Sequence, residues 1–190
     1  MKKIIFLLAA VMGLAQTSFT QEESGAYIRK GLLRATGTIS PGILLKENSS
    51  TISLHGNLEY YVDHNISLRG DAFYSITLPF QFNHAILSGA SYHFKTKNHF
   101  DPYLTLEPGI AISKLTSVQN QGVLSHSSVN PLFSGAIGFN FYFEKYFHLF
   151  MEGRYIYGEH LSNADAPYSL SELRFSFGLG YNLHLLRPKN

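Results

Sequence analysis

Cysteine and tryptophan are both absent from the 190 residues. Without cysteine there is neither a disulfide framework nor a thiol to carry a lipoprotein anchor, so backbone pairing and packing alone hold the chain together. Long apolar runs are nearly absent too. Only residues 4–15 are continuously apolar, too short for a spanning helix, which takes about 20 residues. Basic character is also lacking: Lys and Arg number 15 against 13 Asp and Glu, a net +2, and no stretch clusters them, which argues against nucleic acid as a partner. No segment keeps an amphipathic helical period over three turns, and no Ser-rich or Pro-rich linker divides the chain.

The apolar run near the start follows Lys2 and Lys3 and leaves through Gly13 and Ala15 into a polar stretch. That order of basic, apolar and small residues reads as a secretory signal peptide over residues 1–20, cleaved between 15 and 22, with one exported domain over 21–190.

What the chain has in quantity is Phe and Tyr, 15 and 12 of them, set in two-residue alternation. Across residues 171–185, Leu173, Phe175, Phe177, Leu179, Tyr181, Leu183 and Leu185 share one face, while Glu172, Arg174, Ser176, Asn182 and His184 take the other. Side chains alternate along a strand, and this ribbon is longer than the ordinary strand of about 5–6 residues. It matches the roughly 9–11 residues a tilted strand needs to cross a bilayer. Seven further segments repeat the pattern, over residues 30–45, 51–62, 66–78, 85–95, 103–115, 132–143 and 147–157. Short links at 63–65, 96–101 and 144–146 alternate with longer ones at 116–130 and 158–170, as periplasmic turns and outer loops do in membrane barrels. The links at 47–50 and 79–84 are not long. Pro41 and Pro108 fall inside strands, where a closed ladder requires bulges or rim positions.

The decisive pattern is charge. Arg34, Glu59, Arg69, Asp71, Glu107, Glu152, Arg154, Glu172 and Arg174 all take the polar phase of their segments. A lipid-facing Arg or Lys costs about 2–4 kcal/mol at the bilayer midplane, so a membrane barrel keeps charge off its apolar face. The reading is an all-β, eight-stranded antiparallel up-and-down transmembrane barrel. Tyr60, Tyr74, Tyr92, Phe94, Phe143, Tyr155 and Tyr157 would form its interfacial girdles. Eight strands leave an interior just wide enough for side chains to fill, so the nine charges would pair across the lumen and leave no open pore.

No His, Asp or Glu spacing suits a metal, and no Gly-rich loop follows a strand into a helix; no cofactor or metal is expected. One stretch could carry catalysis: His160-Leu161-Ser162-Asn163-Ala164, with Glu172 opening the next strand. Acyl transfer needs a hydroxyl nucleophile, a base and an orienting acid. These residues resemble the His-x-Ser-Asn-Ala signature of PagL-like lipid A deacylases. That resemblance implies Ser162 as nucleophile, His160 as base, Glu172 as acid and Asn163 beside them. Asp165 stands where that family usually has Gly.

Over its whole mature length the chain resembles small outer-membrane barrels of the OmpA and OmpX type, through Phe175-Ser176-Phe177-Gly178-Leu179-Gly180-Tyr181 and through Pro102-Tyr103 opening the fifth strand. The resemblance implies the outer membrane of a Gram-negative bacterium and a structural or surface-interaction role. The partners expected are outer-membrane lipid and lipopolysaccharide, with the long loops open to an extracellular partner. The deacylase is the rival expectation.

Overall fold

The computed structural model describes residues 30–75, 80–96, 99–115, 127–161 and 168–185. The expected signal peptide lies outside them. Eight long strands are present: β1 (Leu32–Leu44), β2 (Ser49–Tyr61), β3 (Ile66–Ser75), β4 (Phe80–His93), β5 (Phe100–Leu115), β6 (Ser128–Tyr142), β7 (Phe147–His160) and β9 (Glu172–His184). A two-residue strand, β8 (Tyr168–Ser169), pairs only with the end of β7. Each of β1 to β7 pairs antiparallel with its neighbour in sequence, β7 pairs directly with β9, and β9 pairs with β1. The eight long strands thus close on themselves, and none of them is left as a free edge.

Alternation decides which way each residue faces. Along β2, Thr51, Ser53, His55, Asn57 and Glu59 are buried while Ile52, Leu54, Gly56 and Leu58 are exposed. Along β9, Phe175 and Phe177 are exposed and Arg174 and Ser176 buried. A one-residue slip would turn every such set inside out, so the pattern also fixes the register. The tight link between β1 and β2 is made possible by Asn48, which holds a left-handed φ of 46°, a conformation Asn tolerates better than most residues.

Five strands extend beyond the segments read from sequence: β2 starts at Ser49, β7 runs on to His160, and β4, β5 and β6 begin earlier. β4 starts at Phe80, and its irregular start carries a register shift between Phe80 and Phe82, which hides the alternation there. β5 starts at Phe100 and β6 at Ser128, carrying Pro102 and Pro131 inside strands.

Pro41 and Pro108 contradict the expectation of bulges. The register is unchanged across both. On β1, Thr36 pairs with Gly180 and Gly42 with Arg174, but backbone pairing lapses across residues 37–41. On β5, Leu106 pairs with Ala90 and Gly109 with Leu87, and pairing to β4 lapses between them. A proline has no N–H to contribute to a ladder; here the ladder opens beside it and the spacing is kept. At the β1–β9 seam side chains replace the missing bonds. Thr38 Oγ1 donates to the Phe177 carbonyl at 2.6 Å and Ser40 Oγ to the Phe175 carbonyl at 2.9 Å. Thr38→Val with Ser40→Ala should cost about 1 kcal/mol per bond and speed amide exchange along β1 and β9 by mass spectrometry. Unchanged exchange would show that the hydroxyls do not hold the seam.

The interior has three tiers. Leu32, Tyr61 and Tyr142 cover the end with the short turns. Leu44, Phe73, Leu87, Leu115, Leu132, Ile156 and Leu170 form an apolar plug toward the loop end. Between them lies the charged lumen.

Candidate functional site

All nine charges expected inside are there: each of Arg34, Glu59, Arg69, Asp71, Glu107, Glu152, Arg154, Glu172 and Arg174 is 5% exposed or less. The strands bring them into three groups.

Nearest the short turns, Arg34 on β1 pairs with Glu59 on β2 and donates to Tyr142 Oη at 3.0 Å. Asp101 on β5 accepts from Tyr61 Oη at 2.9 Å and from Asn140 Nδ2 at 3.1 Å. His93 on β4 lies between the two acids, its Nε2 2.9 Å from Glu59 Oε1 and its Nδ1 3.0 Å from Asp101 Oδ1.

At mid-height, Arg69 grips Asp71 with two bonds, Nε to Oδ2 at 2.7 Å and Nη2 to Oδ1 at 2.9 Å, and also reaches Glu152 Oε2 at 2.6 Å. Arg154 Nε meets Glu152 Oε1 at 3.0 Å, and its Nη1 pairs with Glu107 and Ser134. Tyr103 Oη donates to Glu152 at 2.8 Å, and His55 Nε2 lies 2.5 Å from Asp71 Oδ1. Charge-assisted bonds of this kind satisfy most of the lone pairs and donors that burial would otherwise strand. Toward the plug, Arg174 Nη2 pairs with Glu172 at 2.7 Å, and Thr51 donates to the same carboxylate. The guanidinium of Arg174 lies 4.4 Å from the Phe73 ring centroid. Gly42 makes room here, since a Cβ on it would stand 2.2 Å from Glu172 Oε1.

His55, Asp71 and Glu152 also present ligand atoms within 4.8 Å of one another. Arg69 and Arg154 already occupy both carboxylates, and an entering cation would sit between two guanidiniums. Their geometry fits an ion-pair network.

Of the second expected set, the two described residues, His160 and Glu172, are not brought together. Ser162 and Asn163 lie outside the described residues. His160 is fully buried, its Nδ1 2.8 Å from Ser113 Oγ, which also accepts from Asn130 Nδ2 at 2.9 Å. Glu172 faces Ile156 in the β7–β9 pairing, while His160 faces Tyr168 on β8. Four residues of strand, roughly 13 Å at about 3.3 Å each, separate the two levels. The Glu172 carboxylate is taken by Thr51 and Arg174 and does not orient the imidazole. Tyr168 packs against the plug, and its burial, with Glu47 adding to it, pushes the phenol up to about 12.

Asp101 and the tyrosines of the lower group were missed from sequence. Asp101 shares the two-residue phase of Tyr103, Thr105 and Glu107, and continuing that alternation back through Pro102 would have found it. The plug was missed as well. Its signal was apolar residues in the polar phase: Leu44, Phe73, Leu87, Leu132 and Ile156.

An antiparallel meander closed on itself, apolar outside and ionic within, defines a small transmembrane β-barrel of the outer-membrane type. No protein-family model matches the chain, and no curated protein matches it. Solved structures do. The N-terminal β-barrel domain of Pseudomonas aeruginosa OprF is 13% identical and superposes with a TM-score of 0.61 over 81% of this chain and 98% of that one. Neisserial surface protein A, NspA, is 13% identical with a TM-score of 0.60, over 81% of this chain and 96% of its own. The outer membrane protein OprG of P. aeruginosa is 14% identical with a TM-score of 0.59, over 82% and 97%. At such identities the likeness is one of fold. The chain shares the architecture of small outer-membrane barrels, and its apolar exterior suits that membrane.

Proposed function

We propose that this chain is a small barrel of structural or surface-interaction type with a side-chain-filled lumen, exported on its N-terminal signal to a Gram-negative outer membrane. It is seated there in lipid and lipopolysaccharide, with its long loops turned to an extracellular partner. The observation that carries this reading is the closure of the lumen. An apolar plug and an aromatic cover enclose a salt-bridged middle whose charges are 5% exposed or less. An interior of eight strands is just filled by side chains, and here arginine pairs cross it.

Planar bilayers containing the purified barrel should show no conductance above background. Regular single-channel steps would replace this reading with a channel. Lipid A from cells expressing the chain should keep all its acyl chains. Loss of a chain in wild type that disappears in Ser162→Ala would replace the structural reading with an enzymatic one.

A further inference from the structure

The lapse in the β1–β9 ladder leaves residues 37–41 and 175–179 without backbone pairing to one another, although there β1 keeps its pairing to β2 and β9 its pairing to β7. Thr36, Thr38 and Gly178 point inward at this seam and are nevertheless part-exposed, unlike Arg34, Ser40 and Ser176 in the same phase. The plug and the aromatic cover close the two ends of the lumen, so the exposure belongs to the gap between the strands. His148 lies at the turn-side edge of that gap. A Cβ on Gly180 would run into its Nε2 and would stand 2.8 Å from Thr36 Cγ2, so the imidazole lies over Gly180 beside Thr36. His148 Nδ1 is 2.7 Å from Asn182 Oδ1. An amide oxygen only accepts, so Nδ1 carries the hydrogen and Nε2 is left as an acceptor. His148 Nε2 and Asn182 Nδ2 are buried without a hydrogen-bond partner, and neither residue is more than 1% exposed.

We propose that this gap is a side entrance from the bilayer to a polar site in the lumen, where His148 and Asn182 take the hydroxyl end of an uncharged long-chain amphiphile. The two unpartnered groups select the chemistry. A hydroxyl donates to Nε2 and accepts from Nδ2, whereas a carboxylate has no hydrogen to give and an ammonium no lone pair to offer. A buried donor or acceptor left unpaired costs stability that such a ligand returns. Position agrees with this. His148 is the second residue of β7, and Asn182 lies two residues from the end of β9, so both sit near the short turns. A hydroxyl held there is at the membrane interface, while its hydrocarbon chain runs along the gap toward the midplane. Irregular backbone at membrane depth is tolerated only where protein or a polar cavity covers it, and an occupied entrance meets that condition. Small residues keep it clear: a Cβ on Gly178 would come within 3.3 Å of Thr38 Oγ1. The plug and the cover stay shut, so the site is a side pocket with no path through the barrel.

Photolabelling in lipid vesicles tests this, with hexadecanol carrying a diazirine beside its hydroxyl as the probe and peptide mass spectrometry to place the label. In wild type the inward residues Thr36, Thr38 and His148 should be labelled as well as the outward wall. Excess 1-hexadecanol should remove the inward labelling, and hexadecane should not. His148→Phe keeps a ring and loses the acceptor; it should lower inward labelling about tenfold, the worth of one hydrogen bond, and leave the outward wall labelled as before. Thr38→Leu narrows the entrance with His148 in place and should lower inward labelling too. Heat-modifiable migration checks that each variant is folded. Inward labelling that is absent from wild type, as when water alone fills the gap, that is equal in His148→Phe, or that hexadecane removes as well as hexadecanol does, would overturn the proposal.

Discussion

Arg154→Leu is expected to lower the unfolding free energy in lipid vesicles by about 3–5 kcal/mol, the cost of breaking a buried ion pair from one side. Arg154 holds Glu107 and Glu152 and lies 3.4 Å from Asp71. Removing it leaves three carboxylates with Arg69 as the one guanidinium bonded among them, in a lumen that water does not freely enter. Glu107 is the most dependent of the three, because Arg69 stands 4.0 Å from it whereas Asp71 and Glu152 keep short bonds to Arg69. The double variant Arg154→Leu with Glu107→Leu should therefore recover much of the loss, since it removes the stranded acid along with its partner. The midpoint of urea unfolding measures both. Equal losses in the single and double variants would mean that the central network is not closed from water.

Phe177→Arg is expected to cost about 2–4 kcal/mol in a bilayer, the penalty for a cation on the lipid face near the midplane. Phe177 is 65% exposed in the middle of β9. In a water-soluble barrel so exposed a site would tolerate arginine within about 0.5 kcal/mol. The two environments thus predict different outcomes for one substitution. Refolding yield and urea midpoint in vesicles decide between them, and a variant as stable as wild type would put water outside the barrel.

Sidedness was legible because one rule governs it. Every segment with a clean two-residue alternation, such as Leu173 to Leu185, faces as the pattern requires, and each charge in the polar phase is buried. The exterior aromatics were legible for the same reason: Tyr74, Tyr92, Phe94, Tyr155 and Tyr157 are exposed. Two features were not legible. The apolar plug breaks the alternation, and Phe73 or Leu87 in the inward phase reads locally as noise until strands distant in sequence bring the plug residues to one level. Partner choice within the lumen was hidden as well. Arg69 of β3 reaches Glu152 of β7 across the barrel, a pairing set by side-chain reach and closure that no local spacing encodes. Pro41 misled because prolines in sheets are expected at edges and bulges, and the hydroxyls of Thr38 and Ser40 that replace its ladder bonds lie on the same strand without any motif.

The most direct test of the central claim uses the absence of native cysteine. Single cysteines at Phe175, Ser176, Phe177 and Leu179, each carrying a nitroxide, report their surroundings by electron paramagnetic resonance in lipid vesicles. Labels at 175, 177 and 179 should be readily relaxed by oxygen, which concentrates in hydrocarbon, and shielded from a water-soluble nickel reagent, while the label at 176 should be shielded from both. A water-accessible label at 175 or 177, or an oxygen-rich one at 176, would contradict a barrel that turns its apolar face to lipid and keeps its ions within.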